Sequence, residues 1–203
     1  MVEYSYNDAK PTWANSYLWP VVRQEIALAK LPPKARAFDL GCGNGATAGM
    51  LADMALDVVG VDPSESGIKQ AKSAFSKCRF EIGSAYDDLA ARYGQFSVVV
   101  SLEVVEHCYD PKHFARTAFD LVAPGGVAII STPYHGYLKN VALAVSGKMD
   151  RHYTALWDGG HIKFFSIATL GQLLRDAGFS QVRFERAGRI PALAKSMIAI
   201  ARK

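Results

Sequence analysis

The sequence has 203 residues, half of them hydrophobic, and a formal net charge of +4. A chain of this length and composition can bury one full core, so we expect a single domain over residues 1–203. The Lys and Arg residues are scattered, which excludes the clustered basic footprint of a nucleic-acid-binding protein, and no apolar run is long enough to span a bilayer.

A helix is predicted before the first strand. Apolar residues recur at helical spacing between Thr12 and Lys30, and Leu31-Pro32-Pro33 ends the pattern. Residues 1–11 are polar and aromatic, and we expect them to be irregular. Together these segments predict an N-terminal helical cap over about residues 1–33.

Strands and helices then alternate along the chain. The predicted strands cover residues 35–40, 58–61, 79–83, 96–102 and 127–131. The predicted helices cover residues 44–56, 64–77, 87–92 and 111–122, and a turn is predicted at residues 123–126. Such alternation indicates an α/β fold with a doubly wound, mostly parallel sheet, in which ligands bind outside the carboxyl ends of the strands.

An insertion interrupts this alternation over about residues 133–161. Its apolar residues at helical spacing, Leu138, Val141, Ala142 and Val145, predict a short helical lid. The insertion ends in Tyr153, Trp157 and His161, side chains that suit a flat, partly polar acceptor. A helix over residues 166–177 and two further strands near residues 181–185 and 194–201 complete seven strands, the last two as an antiparallel hairpin.

The first predicted strand runs into a glycine-rich stretch, Phe38-Asp39-Leu40-Gly41-Cys42-Gly43-Asn44-Gly45. Glycine lets the backbone turn sharply and approach a ligand closely. The spacing also satisfies the fingerprint of a dinucleotide-binding loop, with Asp62 at the end of the next strand as the ribose acid. Asp39 favours another ligand, because a carboxylate at the mouth of the loop would repel a pyrophosphate but attract an ammonium group.

The spacing Asp-x-Gly-x-Gly-x-Gly resembles the first motif of the class I methyltransferases that use S-adenosylmethionine (SAM). This resemblance implies a Rossmann-like methyltransferase fold and a set of cofactor-binding positions at the strand ends. The positions are Asp39, Gly41, Cys42, Gly43, Asp62, Pro63, Ser84, Ala85 and Leu102. Many members carry Asp where this chain has Ser84, so the adenine contact falls to Ser84, to the backbone of Ala85, or to Asp87.

A second informative stretch, Ser101-Leu102-Glu103-Val104-Val105-Glu106-His107, lies at the end of the fourth predicted strand. If the chain is helical there, Glu103, Glu106 and His107 share one face at positions i, i+3 and i+4. The stretch resembles the Glu-x-x-Glu-His segment of ubiquinone-biosynthesis O-methyltransferases, in which the matching residues are associated with a divalent metal. Mg²⁺ or Zn²⁺ is thus one prediction, and a metal-free site that uses His107 as base, with His161 and His135 as the next candidates, is the other.

These observations predict SAM-dependent methyl transfer to a small, lipophilic or phenolic acceptor, with oxygen as the methylated atom. An NAD-dependent oxidoreductase that uses the same glycine loop, and a SAM-binding module without turnover, are the alternatives. Three cysteines without metal-type spacing and the lack of a signal sequence predict a cytoplasmic location. Peripheral contact with a membrane through the insertion remains a further alternative, and the sequence leaves the oligomeric state open.

Overall fold

The computed structural model describes residues 4–203, so the first three residues of the predicted cap lie outside the described part. Seven strands form one sheet: β1 (Arg36–Leu40), β2 (Asp57–Asp62), β3 (Arg79–Ile82), β4 (Phe96–Leu102), β5 (Val122–Pro133), β6 (Gln181–Ala187) and β7 (Ser196–Arg202). The helices are α1 (Asn15–Leu28), α2 (Ala46–Asp53), α3 (Glu65–Ala74), α4 (Leu89–Tyr93), α5 (Pro111–Leu121), α6 (Tyr137–Val145), α7 (Met149–Tyr153) and α8 (Ile167–Ala177). Short 3₁₀ turns cover Val105–His107 and Pro191–Leu193.

The strand order is β3-β2-β1-β4-β5-β7-β6. The first five strands are parallel, and β7 runs antiparallel to both β5 and β6. The predicted doubly wound, mostly parallel seven-stranded sheet with an antiparallel C-terminal hairpin is therefore confirmed. The strand order reverses between β1 and β4, which places the ligand-binding crevice of such a sheet at their carboxyl ends.

Each face of the sheet is covered by a separate apolar core, as expected for parallel strands. Successive residues of β4 alternate between the two cores: Val99 packs on one side, and Val98 and Val100 pack on the other. Helix α1 covers the second core with its buried Leu18, Val22 and Ile26. Burial on both faces explains why the strands read as continuous apolar runs.

The predicted turn at residues 123–126 is wrong. These residues belong to β5, in which Val122 pairs with Phe96 and the pairing resumes with Val127 opposite Val98. Phe96 and Val98 are two positions apart in β4, whereas Val122 and Val127 are five positions apart in β5. The extra residues of β5 therefore bulge out. Gly125 permits this bulge because its φ is +75°.

The insertion folds as α6 and α7 followed by an irregular segment that leads to Phe165. Throughout residues 4–203, no helix has both the length and the apolar character needed to cross a membrane.

Candidate active site

The glycine loop joins β1 to α2 at the carboxyl edge of the sheet. Gly41, Gly43 and Gly45 have φ values of +79°, +50° and +80°, a backbone region that disfavours other residues. The loop is tied to β2, because the backbone N–H groups of Gly41 and Cys42 both donate to the carbonyl oxygen of Val61, at 2.8 and 3.1 Å. The predicted sharp turn is therefore built from backbone geometry that these three glycines allow.

The side chain of Tyr6 lies on this loop. A Cβ atom placed on Gly67 would come within 2.9 Å of the Tyr6 ring, and one placed on Gly43 would collide with the phenol group. Burial raises the pKa of Tyr6, and the charge of Asp62 adds to the effect. The sequence analysis missed Tyr6, since residues 1–11 carry no periodicity or motif that would assign it a position.

Hydrogen bonds hold the segment that carries Tyr6 against the glycine loop and the start of α3. The backbone N–H of Tyr6 donates to Ser66 Oγ at 3.0 Å, and Ser64 Oγ donates to the carbonyl oxygen of Tyr4 at 2.6 Å. Asn44, within the glycine loop, donates its side-chain amide to the carbonyl oxygens of Asp8 and Lys10, both at 2.9 Å. The N-terminal segment thus covers the mouth of the loop.

Asp39 is a buried carboxylate at the end of β1. It is 2% exposed, and its Oδ2 has no hydrogen-bond partner among residues 4–203. Burial, together with a smaller contribution from the charge of Asp62, raises the pKa of Asp39 from 3.8 to about 8. An oxygen left in this state is costly unless a ligand satisfies it.

Asp62 organises the adjoining loop. Its Oδ2 accepts the backbone N–H of Gly43 and its Oδ1 accepts that of Ser64, both at 2.8 Å. Ser64, rather than Asp62, caps α3, because its Oγ accepts the N–H of Gly67 at 3.0 Å. Asp62 therefore fixes the relative positions of the glycine loop and the start of α3, and the neighbouring Pro63 is exposed.

The third strand end is organised by a local turn. Asp87 Oδ2 accepts the backbone N–H of Ser84 at 2.8 Å, and Ser84 Oγ accepts that of Tyr86 at 3.2 Å. Ser84 and Ala85 are half-buried, whereas Asp87 is exposed. At the fourth strand end, Leu102 is also half-buried. The four residues lie at the carboxyl edge, and their contact with a cofactor stays a prediction.

The α-helix on which the shared face of Glu103, Glu106 and His107 depends does not form after β4. Glu103 has a left-handed φ of +57°, and only Val105–His107 forms a short 3₁₀ turn. Glu103 consequently points elsewhere: its Oε1 accepts from Ser131 Oγ at 2.8 Å and its Oε2 from Ser196 Oγ at 3.1 Å. Glu103, Glu106 and His107 do not share one helical face.

Glu106 and His107 meet His161 of the insertion instead. One potential ligand atom from each of these three residues lies within 4.8 Å of the other two. His161 Nε2 is 4.0 Å from Glu106 Oε1, and the rings of His107 and His161 are 5.0 Å apart. The backbone explains this approach, because the carbonyl oxygen of Glu106 accepts the N–H groups of Ile162 and Lys163, at 2.9 and 3.0 Å.

Glu106, like Asp39, is a buried carboxylate with unsatisfied oxygen atoms. Within residues 4–203, neither of its buried oxygens has a hydrogen-bond partner. Burial raises the pKa of Glu106 well above its usual range, and Glu103 contributes in the same direction. Burial also raises the pKa of Glu103 to about 7. The pair can therefore hold a proton near neutral pH or receive a cation.

The insertion fixes the tautomer of His107. Its Nδ1 lies 2.9 Å from the carbonyl oxygen of Gly159 and 3.2 Å from that of Gly160. Carbonyl oxygens only accept hydrogen bonds, so Nδ1 carries the proton and Nε2 presents a lone pair. Burial lowers the pKa of His107, which keeps the ring neutral. A neutral imidazole with a free Nε2 can act as a base or as a metal ligand.

His135, the third predicted histidine, lies beside this cluster in an aromatic environment. Its ring stacks with Tyr153 at 6.0 Å between centroids and meets Phe164 edge-on at 5.1 Å. Burial lowers the pKa of His135 to about 4, with smaller contributions from Lys139 and His152. The structure thus brings His107 and His161 together and places His135 next to the lid residues.

Trp157 links the two covers of the site. Its ring lies 6.1 Å from His107, 5.6 Å from His161 and 6.3 Å from Tyr4. The N-terminal segment over the glycine loop and the insertion over Glu106 therefore meet at one aromatic contact.

Comparisons with known proteins agree with this architecture. A family model described as a methyltransferase domain matches residues 15–183. The ubiquinone biosynthesis O-methyltransferase of Caulobacter sp. (strain K31) is 40% identical over 126 residues, which are 60% of this chain and 48% of that protein. The corresponding protein of Azorhizobium caulinodans is 38% identical over 152 residues, 71% of this chain and 58% of that protein. This chain thus spans about half the length of the curated relatives it matches.

Solved structures share the fold at low sequence identity. An S-adenosylmethionine-dependent methyltransferase from Mesorhizobium loti has a TM-score of 0.69 at 19% identity, covering 91% of this chain and 97% of that one. The magnesium protoporphyrin IX methyltransferase from Synechocystis PCC 6803, with bound SAH, has a TM-score of 0.69 at 21% identity, covering 98% and 90%.

Proposed function

Because this chain belongs to the methyltransferase domain family, we propose that it transfers the methyl group of SAM to an oxygen atom of a small acceptor. The observation that carries the proposal is the buried carboxylate of Asp39, whose Oδ2 has no hydrogen-bond partner within residues 4–203, beside a loop of left-handed glycines. The ubiquinone biosynthesis O-methyltransferases among the relatives favour oxygen as the methylated atom and a phenolic or lipophilic acceptor.

The residues present fit SAM better than a dinucleotide. Asp39 Oδ2 lacks a hydrogen-bond partner among residues 4–203, and the ammonium group of SAM's methionine part would supply one. The pyrophosphate of NAD carries the opposite charge and would be repelled by this carboxylate. Each carboxylate oxygen of Asp62 has two lone pairs, so this side chain can accept from a ribose diol while it accepts from the backbone N–H groups of Gly43 and Ser64. The remaining proposed contacts are Gly41, Cys42, Gly43, Pro63, Ser84, Ala85 and Leu102.

SAM, when bound, supplies an electrophilic methyl group on its sulfonium. The residues of this chain then have two tasks, which are to orient the acceptor oxygen and to take its proton. His107 is the proposed base because Nε2 presents its lone pair toward the side of the ring away from Gly159 and Gly160. His161 is the proposed orienting residue, and His135 is a proposed contact for the acceptor ring.

A divalent cation at Glu106, His107 and His161 is the second candidate for the same site. One carboxylate and two imidazoles are a donor set that suits Zn²⁺ better than Mg²⁺. A cation held there would lower the pKa of the acceptor hydroxyl. Glu103, which the sequence analysis included in this set, is engaged by Ser131 and Ser196 and lies outside the three-residue group.

The insertion is proposed to act as a lid of this single domain. It contributes the carbonyl groups that hold His107, and its Trp157 lies against both histidines of the cluster. Gly159, with a φ of +78°, gives the turn that carries these carbonyl groups. Movement of the lid would thus admit the acceptor and release His107 together.

Calorimetric titration of the full chain with SAM and with NAD tests the proposal. We expect SAM to bind and NAD to give no signal. SAM affinity should rise from about pH 6 to about pH 7.5, since Asp39, whose pKa is raised to about 8, must lose its proton to pair with the ammonium group.

The Asp39→Asn variant is the control for this pH dependence. It should bind SAM at least about tenfold more weakly and lose the rise, because an amide cannot ionise. Without ligand, the folded protein keeps the Asp39 proton that the unfolded chain releases above about pH 4, so its stability falls as the pH rises toward about 8. Asp39→Asn should remove that loss. Binding of NAD in place of SAM would overturn the proposed function.

The outer face of the lid helix supports a second proposal, peripheral contact with a membrane. Helix α6 has an apolar exposed face, with Tyr137 at 81%, Leu138 at 59% and Val145 at 84% exposed, and the basic residues Lys148 and Arg151 follow it. Apolar residues flanked by basic ones are typical of segments that bind the interface of anionic bilayers.

Sedimentation with phosphatidylglycerol-containing vesicles tests this contact. The protein should co-sediment, and Val145→Asp should reduce the bound fraction severalfold, because a carboxylate opposes both insertion and attraction to anionic lipid. Leu28→Asp is a matched control, since Leu28 is 60% exposed on α1, away from the insertion. Equal binding of the two variants would contradict the proposal.

A further inference from the structure

Lys139 is an unusual residue for its position. It is 9% exposed and is the only buried residue of α6, whose other side chains face outward or pack partly. Its Nζ donates to the carbonyl oxygen of Lys195 at 3.3 Å. Among residues 4–203, no carboxylate lies within ion-pair distance of this ammonium group. A buried cation without a counter-ion costs free energy unless a ligand provides the charge.

Other basic groups surround Lys139. Burial and the charge of Arg189 lower the pKa of Lys139 to about 8, and Glu103 opposes this shift only in part. Burial is the main cause of the lowered pKa values of His135 and His152, and the charge of Lys139 is the next cause for both. The rings of His135 and His152 lie 5.3 Å apart and are neutral at neutral pH, so the positive charge at this place comes from Lys139 and Arg189.

The one carboxylate nearby does not neutralise this cluster. Both oxygens of Glu103 already accept hydroxyl groups, from Ser131 and Ser196. Burial raises the pKa of Glu103 to about 7, so a proton occupies much of this group at neutral pH. The charge of Lys139 is left without a full counter-charge.

Lys139 and His135 both have hydrogen-bonding capacity to offer a ligand. An ammonium group carries three N–H donors, and one of those of Lys139 meets the carbonyl oxygen of Lys195. Within residues 4–203, His135 Nδ1 is buried without a hydrogen-bond partner. Both side chains can therefore donate to an oxyanion.

The basic cluster adjoins the proposed reaction site. The charge of His161 contributes to the lowered pKa of His135, and His161 itself lies against Glu106 and His107. His135 also stacks with Tyr153, whose ring adds a flat surface next to it. A small molecule could therefore present a hydroxyl to His107 and an acidic group to Lys139.

We propose that Lys139, with His135, His152 and Arg189 around it, binds an oxyanion carried by the methyl acceptor, so that the substrate class is a hydroxylated molecule with a carboxylate or phosphate substituent. This inference rests on the proposed function, and it makes Lys139 a residue that determines acceptor specificity.

The test measures binding of three small aromatic probes to the full chain saturated with SAH. Benzoate and phenyl phosphate carry the two candidate acidic groups, and benzamide is the neutral isostere. Wild-type protein should bind at least one acid more tightly than benzamide, and Lys139→Met should weaken that acid by about 10- to 100-fold, as expected for a lost charge-assisted hydrogen bond. The acid that binds more tightly identifies the substituent.

Lys148→Met is the matched control, because Lys148 is an exposed lysine of the same insertion. It should leave acid binding unchanged. Lys139→Arg should recover part of the affinity, which a purely structural role for the methylene groups would not explain. Should Lys139→Met not fold, Arg189→Gln provides a second test at an exposed position, with an expected loss of about threefold.

Two results would overturn the inference. One is equal affinity of wild type and Lys139→Met for both acids, and the other is no preference of wild type for either acid over benzamide. SAH affinity measured on the same samples separates the proposals, since intact SAH binding with no acid preference rejects only the oxyanion site. If the wild type does not bind SAH at all, the proposed function itself is rejected.

Discussion

Asp62→Ala is expected to lower SAM affinity by at least about 100-fold. If the carboxylate holds the ribose diol, the variant loses two charge-assisted hydrogen bonds that contribute about 1.5–3 kcal/mol each. It also leaves the N–H groups of Gly43 and Ser64 without their acceptor, so the loop that meets the cofactor becomes less ordered. Calorimetric titration with SAM measures the loss.

The two effects of Asp62→Ala can be separated with a ligand change. A SAM analogue that lacks the ribose 2′-hydroxyl should bind wild type more weakly than SAM does, but it should bind Asp62→Ala as well as SAM does. Asp57→Ala is a matched control at the exposed start of the same strand. If wild type and Asp62→Ala discriminate equally between SAM and the analogue, the ribose assignment is wrong and Asp62 serves only to shape the loop.

The sheet was predictable because its signals are local. Each buried strand is a short apolar run such as Val58-Val59-Gly60-Val61, and a helix-compatible segment follows it. The rule that ligands gather at the carboxyl ends then brings Asp39 and Asp62 to one edge. The bulge in β5 was missed, since Pro124-Gly125-Gly126 has the composition of a turn, while its pairing with β4 depends on a neighbouring strand.

The candidate site was predictable only in part, because its contacts join residues far apart in the chain. Glu103 and Glu106 lie three positions apart, yet the left-handed φ of Glu103 turns their side chains to different partners. His161 reaches Glu106 only because the insertion folds back and docks its backbone on Glu106. Tyr6 likewise lies on Gly43, a residue distant from it in the chain. No spacing rule reports contacts of this kind.

His107→Ala is expected to reduce the methylation rate by about 10²–10⁴-fold, the usual contribution of a general base, while SAM affinity stays unchanged. In wild type the rate should fall as the pH drops through the His107 titration, because only the neutral ring accepts a proton. Burial lowers the pKa of His107, so the rate should already be at its plateau at neutral pH. The measurement is transfer of radioactive methyl from SAM to catechol. His113→Ala on α5 is the control, since His113 lies on an exposed face of that helix.

A bound cation predicts a different set of results for the same residues. Chelator would then abolish transfer to catechol and Zn²⁺ would restore it, since the cation lowers the pKa of the hydroxyl. Glu106→Gln would lose as much activity as His107→Ala, and the purified protein would contain about one metal ion per chain.

Base catalysis without a metal predicts that chelator has no effect. Glu106→Gln then keeps more activity than His107→Ala, because Glu106 only contacts the acceptor and takes no proton from it. Metal analysis and SAM titration with and without chelator need no acceptor, so they decide between the two even if catechol is a poor substrate. A metal-free protein with full activity would leave His107 as the base and the buried carboxylate of Glu106 as a contact for the acceptor hydroxyl.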